Sequence, residues 1–308
     1  MKNLLSAAEH FNLGAVSLCP DIAVAGSPER TDFRAVVKTA DSRLIILEKV
    51  NPRRAEHRKA MAAVLAALSG SGMPQVVPFL TDKDGRTLGD IDGECWQAVP
   101  YVNGVQLDRP AYAFEGWRGT VSARFLVDFK KATQAGAVFK ESPVFDLPAY
   151  IDGLWSVIRR RRPEVAQAFI PMKRHVEERL NPFYRQLPTG FCHGDYHALN
   201  IIWGESGINA VIDWEFFGVK PELYDAANML SCLGIEDPSA LDGAWADNFM
   251  AVLKGSGLYT TEGFRILPDF MIAMRFAWVS EWLRKDDDDM LQMELDYFDI
   301  LKERCRPL

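Results

Sequence analysis

Apolar positions divide the chain into two regimes. Up to about residue 102 they come in short runs broken by turn residues, and beyond it they recur every three to four residues, the spacing of one helix face. Phe33 to Thr39 and Arg43 to Val50 are β-branched runs around Ala40-Asp41-Ser42, which predicts an antiparallel hairpin. Arg54 to Leu68 carries Ala, Met, Val and Leu at helical intervals and stops at the breaker Ser69-Gly-Ser-Gly-Met-Pro74, so it predicts a helix. Val76 to Leu80 and Cys95 to Val102 predict further strands, with Asp84-Gly85 and Asp92-Gly93 as turns. Helices are then predicted over 121–139, 147–161, 164–187, 224–233, 240–253, 266–283 and 290–301. The fold class that follows is α+β: a small antiparallel-sheet lobe over residues 1–102 and a larger, mainly helical lobe over 103–308. Arg159 to Arg162 reads as a solvated helix end, the end at which the helix dipole favours basic charge, and Asp286 to Asp289 as a solvated turn between helices.

Composition narrows the function classes. The chain has 308 residues, 48% of them hydrophobic, so a sizeable core can form, and its net charge of −7 argues against broad binding to nucleic acid or to an anionic membrane. No apolar stretch approaches the roughly 20 residues a spanning helix needs. Glu9 and His10 interrupt the N-terminal region where a signal peptide needs an apolar core. The five cysteines are scattered without a Cys-x-x-Cys pair, which fits free thiols in a reducing cytoplasm.

One segment carries chemistry. Phe191-Cys-His-Gly-Asp-Tyr-His-Ala-Leu-Asn-Ile-Ile-Trp203 interrupts the helical pattern, and Ile201-Ile-Trp203 and Ile208-Asn-Ala-Val-Ile212 flank a turn at Gly204-Glu-Ser-Gly207. With the turn centred on Ser206-Gly207, Ile201 faces Ile212 and Asn200 faces Asp213; an earlier turn centre loosens the pairing but keeps the two ends adjacent. The hairpin thus brings an amide oxygen and a carboxylate together, with Asp195 in the loop leading into it. Such oxygens suit a hard ion such as Mg2+, and a neighbouring unbound carboxylate can take a proton from a substrate hydroxyl. Protein kinases divide labour this way among an Asp, an Asn five residues later and a metal-binding Asp after the next hairpin. A zinc site built on His193 and His197 is a poor alternative, because His10, His57 and His175 supply no third ligand in a ligand-like grouping.

His193-Gly-Asp-Tyr-His-Ala-Leu-Asn200, Val211-Ile-Asp-Trp-Glu215 and Tyr224-Asp-Ala-Ala227 resemble the signature of the aminoglycoside phosphotransferase and choline kinase-like superfamily. That resemblance implies a two-lobed protein-kinase-like fold, ATP and Mg2+ as cofactors, and a small-molecule hydroxyl as acceptor. It assigns Asp195 as catalytic base and Asn200 and Asp213 as metal ligands, with His193 and Asp225 shaping and holding the loop. A kinase-like nucleotide-binding regulatory module without phosphotransfer is the alternative.

The nucleotide side fits less tidily. Ala25 to Ala35 resembles a phosphate-covering loop but holds a single glycine, Gly26, and reads equally as a turn into a strand. Glu48 and Lys49 alternate faces on one strand, so one of them points into a cleft. Lys49 is the expected phosphate contact because Glu48 would repel an anionic nucleotide. Glu56 is either its helix partner or an exposed first-turn acid. Cys95 to Gly104 resembles the hinge that meets adenine; Val99, Pro100 and Val102 lie there, and Val102 must donate because Pro100 has no N–H. For the acceptor, Glu215, Arg275, Trp278, Glu281 and Trp282 are the candidates, the last four on one stretch of helix with aromatic and charged residues interleaved. Those side chains suit a sugar, an amino sugar or an amino alcohol, and an aminoglycoside would need several carboxylates around its amines. Leu47 to Asn51 resembles the corresponding strand of N-acetylhexosamine kinases, and the strand-rich start resembles homoserine kinases.

Overall fold

The computed structural model describes residues 2–24 and 32–305. The chain runs α1 (Lys2–His10), β1 (Val16–Leu18), β2 (Phe33–Thr39), β3 (Leu44–Val50), α2 (Ala55–Gly70), β4 (Gly89–Ile91), β5 (Glu94–Pro100), α3 (Gly116–Thr133), α4 (Ala137–Lys140), α5 (Leu147–Arg161), α6 (Pro163–Arg179), α7 (Asn181–Tyr184), β6 (Thr189–Cys192), β7 (Ile201–Trp203), β8 (Ile208–Val211), β9 (Gly218–Pro221), α8 (Tyr224–Glu236), α9 (Ala244–Gly255), α10 (Thr261–Arg265), α11 (Leu267–Lys285) and α12 (Asp288–Glu303). A small antiparallel sheet followed by a helical part is the α+β class that the hydrophobic pattern predicts. The chain separates into two units, Met1–Gln106 with Leu199–Glu215, and Leu107–Ala198 with Phe216–Leu308.

The first unit is organised by strand alternation. Its sheet has the order β1-β2-β3-β5-β4, with every pair antiparallel. Leu4, Ala7, Ala8 and Phe11 repeat at helical spacing along α1 and the residue after it, and they pack on Val37, Ile45, Leu47, Trp96 and Ala98. Burying a Leu or Phe side chain stabilises by about 1.5–3 kcal/mol, so this short helix is held by its packing. Because Ile45 and Leu47 face α1, alternation sends Glu48 to the opposite face and Lys49 to the α1 side. Val76–Leu80, expected to be a strand, is irregular; Leu80 donates one backbone bond to Ala98 (2.9 Å), and the outer strand is β4 instead.

The β7–β8 hairpin belongs to this unit through backbone bonds. Val211 donates to Gln75 O and Val105 to Trp203 O, both at 2.8 Å. Gly104 permits that approach, since a Cβ there would lie 2.5 Å from Ile202 Cγ2 and 3.0 Å from Trp203 O. The hairpin register is one residue short of the expected one: Ile201 faces Val211, and a further shift of one falls between Ile202 and Trp203, which faces Ile208.

In the second unit β6 pairs with β9, Thr189 opposite Pro221 and Cys192 opposite Gly218. The segment expected as one helix over 164–187 divides into α6 and α7, with Pro182 at the start of α7. Arg162 joins the basic and acidic runs, its guanidinium 2.9 Å from Asp286 and 2.8 Å from Asp288. No helix of the described residues is long and apolar enough to cross a membrane.

Candidate active site

The loop after β6 is fixed from two sides. Asp225 lies in the first turn of α8, which starts three residues after β9, so its carboxylate faces back toward the loop. It accepts the backbone N–H groups of His193 and Gly194, each at 2.8 Å. Burial pushes the Asp225 carboxyl up to about 6 despite those two bonds. Gly194 has φ +87°, and a Cβ there would lie 2.0 Å from Phe216 O, so the loop needs glycine at this point. On the other side Tyr196 is fully buried, stacked on Phe125 with centroids 5.4 Å apart, and its hydroxyl donates to Ser122 O at 3.1 Å.

Asp195 stands between these anchors. Its N–H donates to His193 Nδ1 at 3.1 Å, which places the proton of a neutral His193 ring on Nε2. Asn228 Nδ2 donates to Asp195 Oδ1 at 3.4 Å, and His197 Nε2 lies 3.6 Å from the same oxygen. The Asp195 side chain keeps 22% of its surface exposed, so its carboxylate is accessible from solvent. Sequence reasoning missed Asn228; its position one turn after Asp225 on the same face of α8 was the available signal.

The other oxygens lie in the first unit. Ile212 donates to Asn200 O at 2.9 Å, which sets Asn200 beside the segment carrying Asp213. Asp213 itself has φ +63°, a left-handed residue that ends the strand alternation and turns the chain into the 3₁₀ turn Trp214–Phe216. Asn200 is buried and Asp213 half-buried. An amide oxygen and a carboxylate on adjoining strand ends form a donor set that fits a hard divalent cation.

On the nucleotide side the charges are arranged otherwise than expected. Lys49, on the α1 face, is bonded to Glu94 at 2.7 Å, and Glu56 is an exposed first-turn acid bonded to Lys59 at 2.8 Å. Of the two readings of Glu56, the exposed first-turn acid holds, and no Lys49–Glu56 pair is made because Lys49 lies on the α1 side of β3. Glu48 is the buried residue on the α2 side. Burial pushes its carboxyl up, against the pull of Arg58 and Arg34. Arg58, from α2, is 3.7 Å from Glu48 and 3.0 Å from Glu215. Glu215 also meets Arg54 (2.7 Å) and His57 (3.3 Å); burial opposes its charge, but these partners hold its carboxyl below the usual range. Gly26 lies outside the described residues. Val99 and Pro100 are paired with Ile46 and Ile45 in the sheet, while the Val102 N–H, just past β5, has no hydrogen-bond partner among the described residues.

The acceptor-side candidates separate. Glu215 is committed to Arg54, His57 and Arg58. Arg275 is fully buried and bonded twice to Glu294, so it is an internal partner of α12 and no surface for a substrate. Glu281 is paired with Arg284 and Lys285; the Arg284 bond above all pulls its carboxyl down to about 2. Trp278 and Trp282 stack with centroids 5.7 Å apart, and Trp278 meets the ring of His197 at 6.4 Å, which brings an aromatic surface toward the Asp195 loop. Elsewhere among the described residues His175, Asp269 and Cys305 lie within 4.8 Å of one another, but Arg179 at 2.6 Å already neutralises Asp269. That group ties α6 to the C-terminal segment.

The chain belongs to the phosphotransferase enzyme family, whose model matches residues 27–256. Comparison with curated proteins finds no match. Among solved structures, the chain is similar to a microcompartment-associated aminopropanol kinase, with a TM-score of 0.70 and 15% identity over 97% of this chain and 94% of that one. It is also similar to an aminoglycoside phosphotransferase from Alicyclobacillus acidocaldarius subsp. acidocaldarius DSM 446 (TM-score 0.60, 15% identity, 92% and 94% covered). A third is an amicoumacin kinase in complex with AMP-PNP, Ca2+ and Ami (TM-score 0.65, 14% identity, 91% and 90% covered). These likenesses establish the kinase-like fold.

Proposed function

We propose that the chain is an ATP- and Mg2+-dependent small-molecule kinase that transfers the γ-phosphoryl group to a hydroxyl of a sugar, amino sugar or amino alcohol. The observation that carries this reading is the loop clamp: Asp225 holds two consecutive amides, and the next residue, Asp195, offers a partly exposed carboxylate. Asp195 orients the acceptor hydroxyl and takes its proton as the oxygen attacks phosphorus. His193 and Asp225 position that carboxylate. Asn200 and Asp213 would hold the magnesium, which when bound neutralises charge on the phosphate oxygens. Residues 1–102 would bind nucleotide, adenine meeting the Val102 N–H, and residues 103–308 would supply the acceptor side.

The likeness to an aminopropanol kinase and to an aminoglycoside phosphotransferase supports an acceptor that bears both an amine and a hydroxyl. The stacked Trp278 and Trp282 could receive its cationic group. The free cysteines fit a cytoplasmic enzyme. A screen of sugars, amino sugars, choline, homoserine and aminoglycosides for acceptor-dependent ADP release tests the proposal; at least one should give turnover that requires Mg2+. Glu48, an acid where a cation was expected, favours a second reading, a nucleotide-binding module without transfer. ATP-induced thermal stabilisation with no ADP release from any acceptor would select it.

A further inference from the structure

The α2-facing side of β3 carries an acid, and its cation comes from the helix. Glu48 points away from α1, and Arg58 reaches it from α2, nine-tenths buried. The guanidinium makes no close hydrogen bond: Glu215 Oε1 is an ion-pair partner at 3.0 Å, and Glu48 at 3.7 Å and Gln97 Oε1 at 3.5 Å are long contacts. Arg58 Nε and Gln97 Nε2 are buried donors without a hydrogen-bond partner, as is the buried acceptor Glu215 Oε1, and Gln97 is fully buried on β5 directly opposite Glu48. Two orphaned buried donors are costly unless an acceptor reaches them. An anionic, oxygen-rich group would answer the unfilled donors.

We infer that Arg58, tethered by Glu215 and Glu48, is the cation this chain presents to the phosphates of its nucleotide, with Gln97 as a neighbouring donor and Lys49 uninvolved. The acid–base polarity of the strand–helix pair is then the reverse of the one the sequence suggested. The inference rests on the nucleotide-binding reading above.

The test is calorimetric titration of the full-length protein with Mg·ATP and, separately, with adenosine, for wild type, Arg58→Met, Arg58→Lys and Lys49→Met. A phosphate contact shows in the ratio of the two affinities, which misfolding would not change selectively. For Arg58→Met, ATP affinity should fall about thirtyfold, as expected for one charge-assisted bond, with adenosine affinity within about threefold of wild type. Arg58→Lys retains the charge and folds more readily; it should lose about fivefold for ATP alone, because an ammonium cannot bridge both acids and a phosphate. Lys49→Met should leave both affinities within about threefold. An unchanged ratio in either Arg58 variant, or an ATP-selective loss in Lys49→Met, overturns the assignment alone. A wild-type protein that binds neither ligand overturns the nucleotide reading and this assignment with it.

Discussion

Replacing Asp225 by Asn should separate loop geometry from stability. The two side chains have the same shape, but a carboxylate offers two acceptors to the His193 and Gly194 amides, each 2.8 Å away, whereas a carboxamide offers one and turns an N–H toward the other. Losing one charge-assisted bond costs about 1.5–3 kcal/mol, and weakening the second costs about 1 kcal/mol. Against this, the buried carboxyl is pushed from an ordinary value of 3.8 up to about 6. Because that value already includes the two amide bonds, removing the charge returns about 3 kcal/mol at neutral pH net of them. The released burial penalty thus covers the lost bonding, so the midpoint in urea should not fall by more than about 1 kcal/mol equivalent at pH 7.5. Catalysis has no such compensation. The amide pushed aside is adjacent to Asp195, and displacing a reacting group by about 1 Å costs about 10²-fold in rate. The sign with pH follows from the raised value: wild type holds the Asp225 proton in the folded state up to about 6, so its stability contribution is full below 3.8 and is lost as pH rises through that window. Asn has no proton to lose, so the variant should be more destabilised relative to wild type near pH 4 than at pH 7.5. Urea titrations at both pH values and steady-state ADP release measure all three quantities. Retention of kcat within about threefold at pH 7.5 would refute the view that Asp225 sets the loop.

Three further outcomes follow from the same geometry. Asp195→Asn should lower kcat by about 10² to 10⁴ while leaving Mg·ATP affinity nearly unchanged, measured by turnover and calorimetry together. Gly194→Ala places a methyl 2.0 Å from Phe216 O at a left-handed φ of +87°, so it should lose at least about 3 kcal/mol in urea unfolding or fail to accumulate as soluble protein. Arg275→Met leaves Glu294, which is fully buried, without its partner and should cost about 3–5 kcal/mol; the double variant with Glu294→Leu should recover most of that, in thermal and urea unfolding alike.

How far the sequence reaches can be judged on β3. The motif from His193 to Asp213 was legible because its spacing is local: a loop, two short strands and one turn leave little freedom, and a slip of one residue in register still sets Asn200 beside the 212–213 segment. The nucleotide side was not legible in the same way. Alternation correctly says that Glu48 and Lys49 cannot share a face, but which of them turns to α2 is decided by what covers the other face. That cover is α1, nine residues long and too short to announce itself by periodicity, whose Leu4, Ala7 and Ala8, with Phe11 just beyond it, bury Ile45 and Leu47 and so commit the odd-numbered side of β3. Electrostatic reasoning then favoured Lys49 because it treated Glu48 as an isolated charge, whereas Glu48 comes with Arg58 from a helix ten residues later and Glu215 from a turn far along the chain. The same limit hid the role of Arg275, whose partner Glu294 sits on another helix. In each case the missing information was a packing partner, and a hydrophobic contact between α1 and the sheet fixed where the charges of β3 could act.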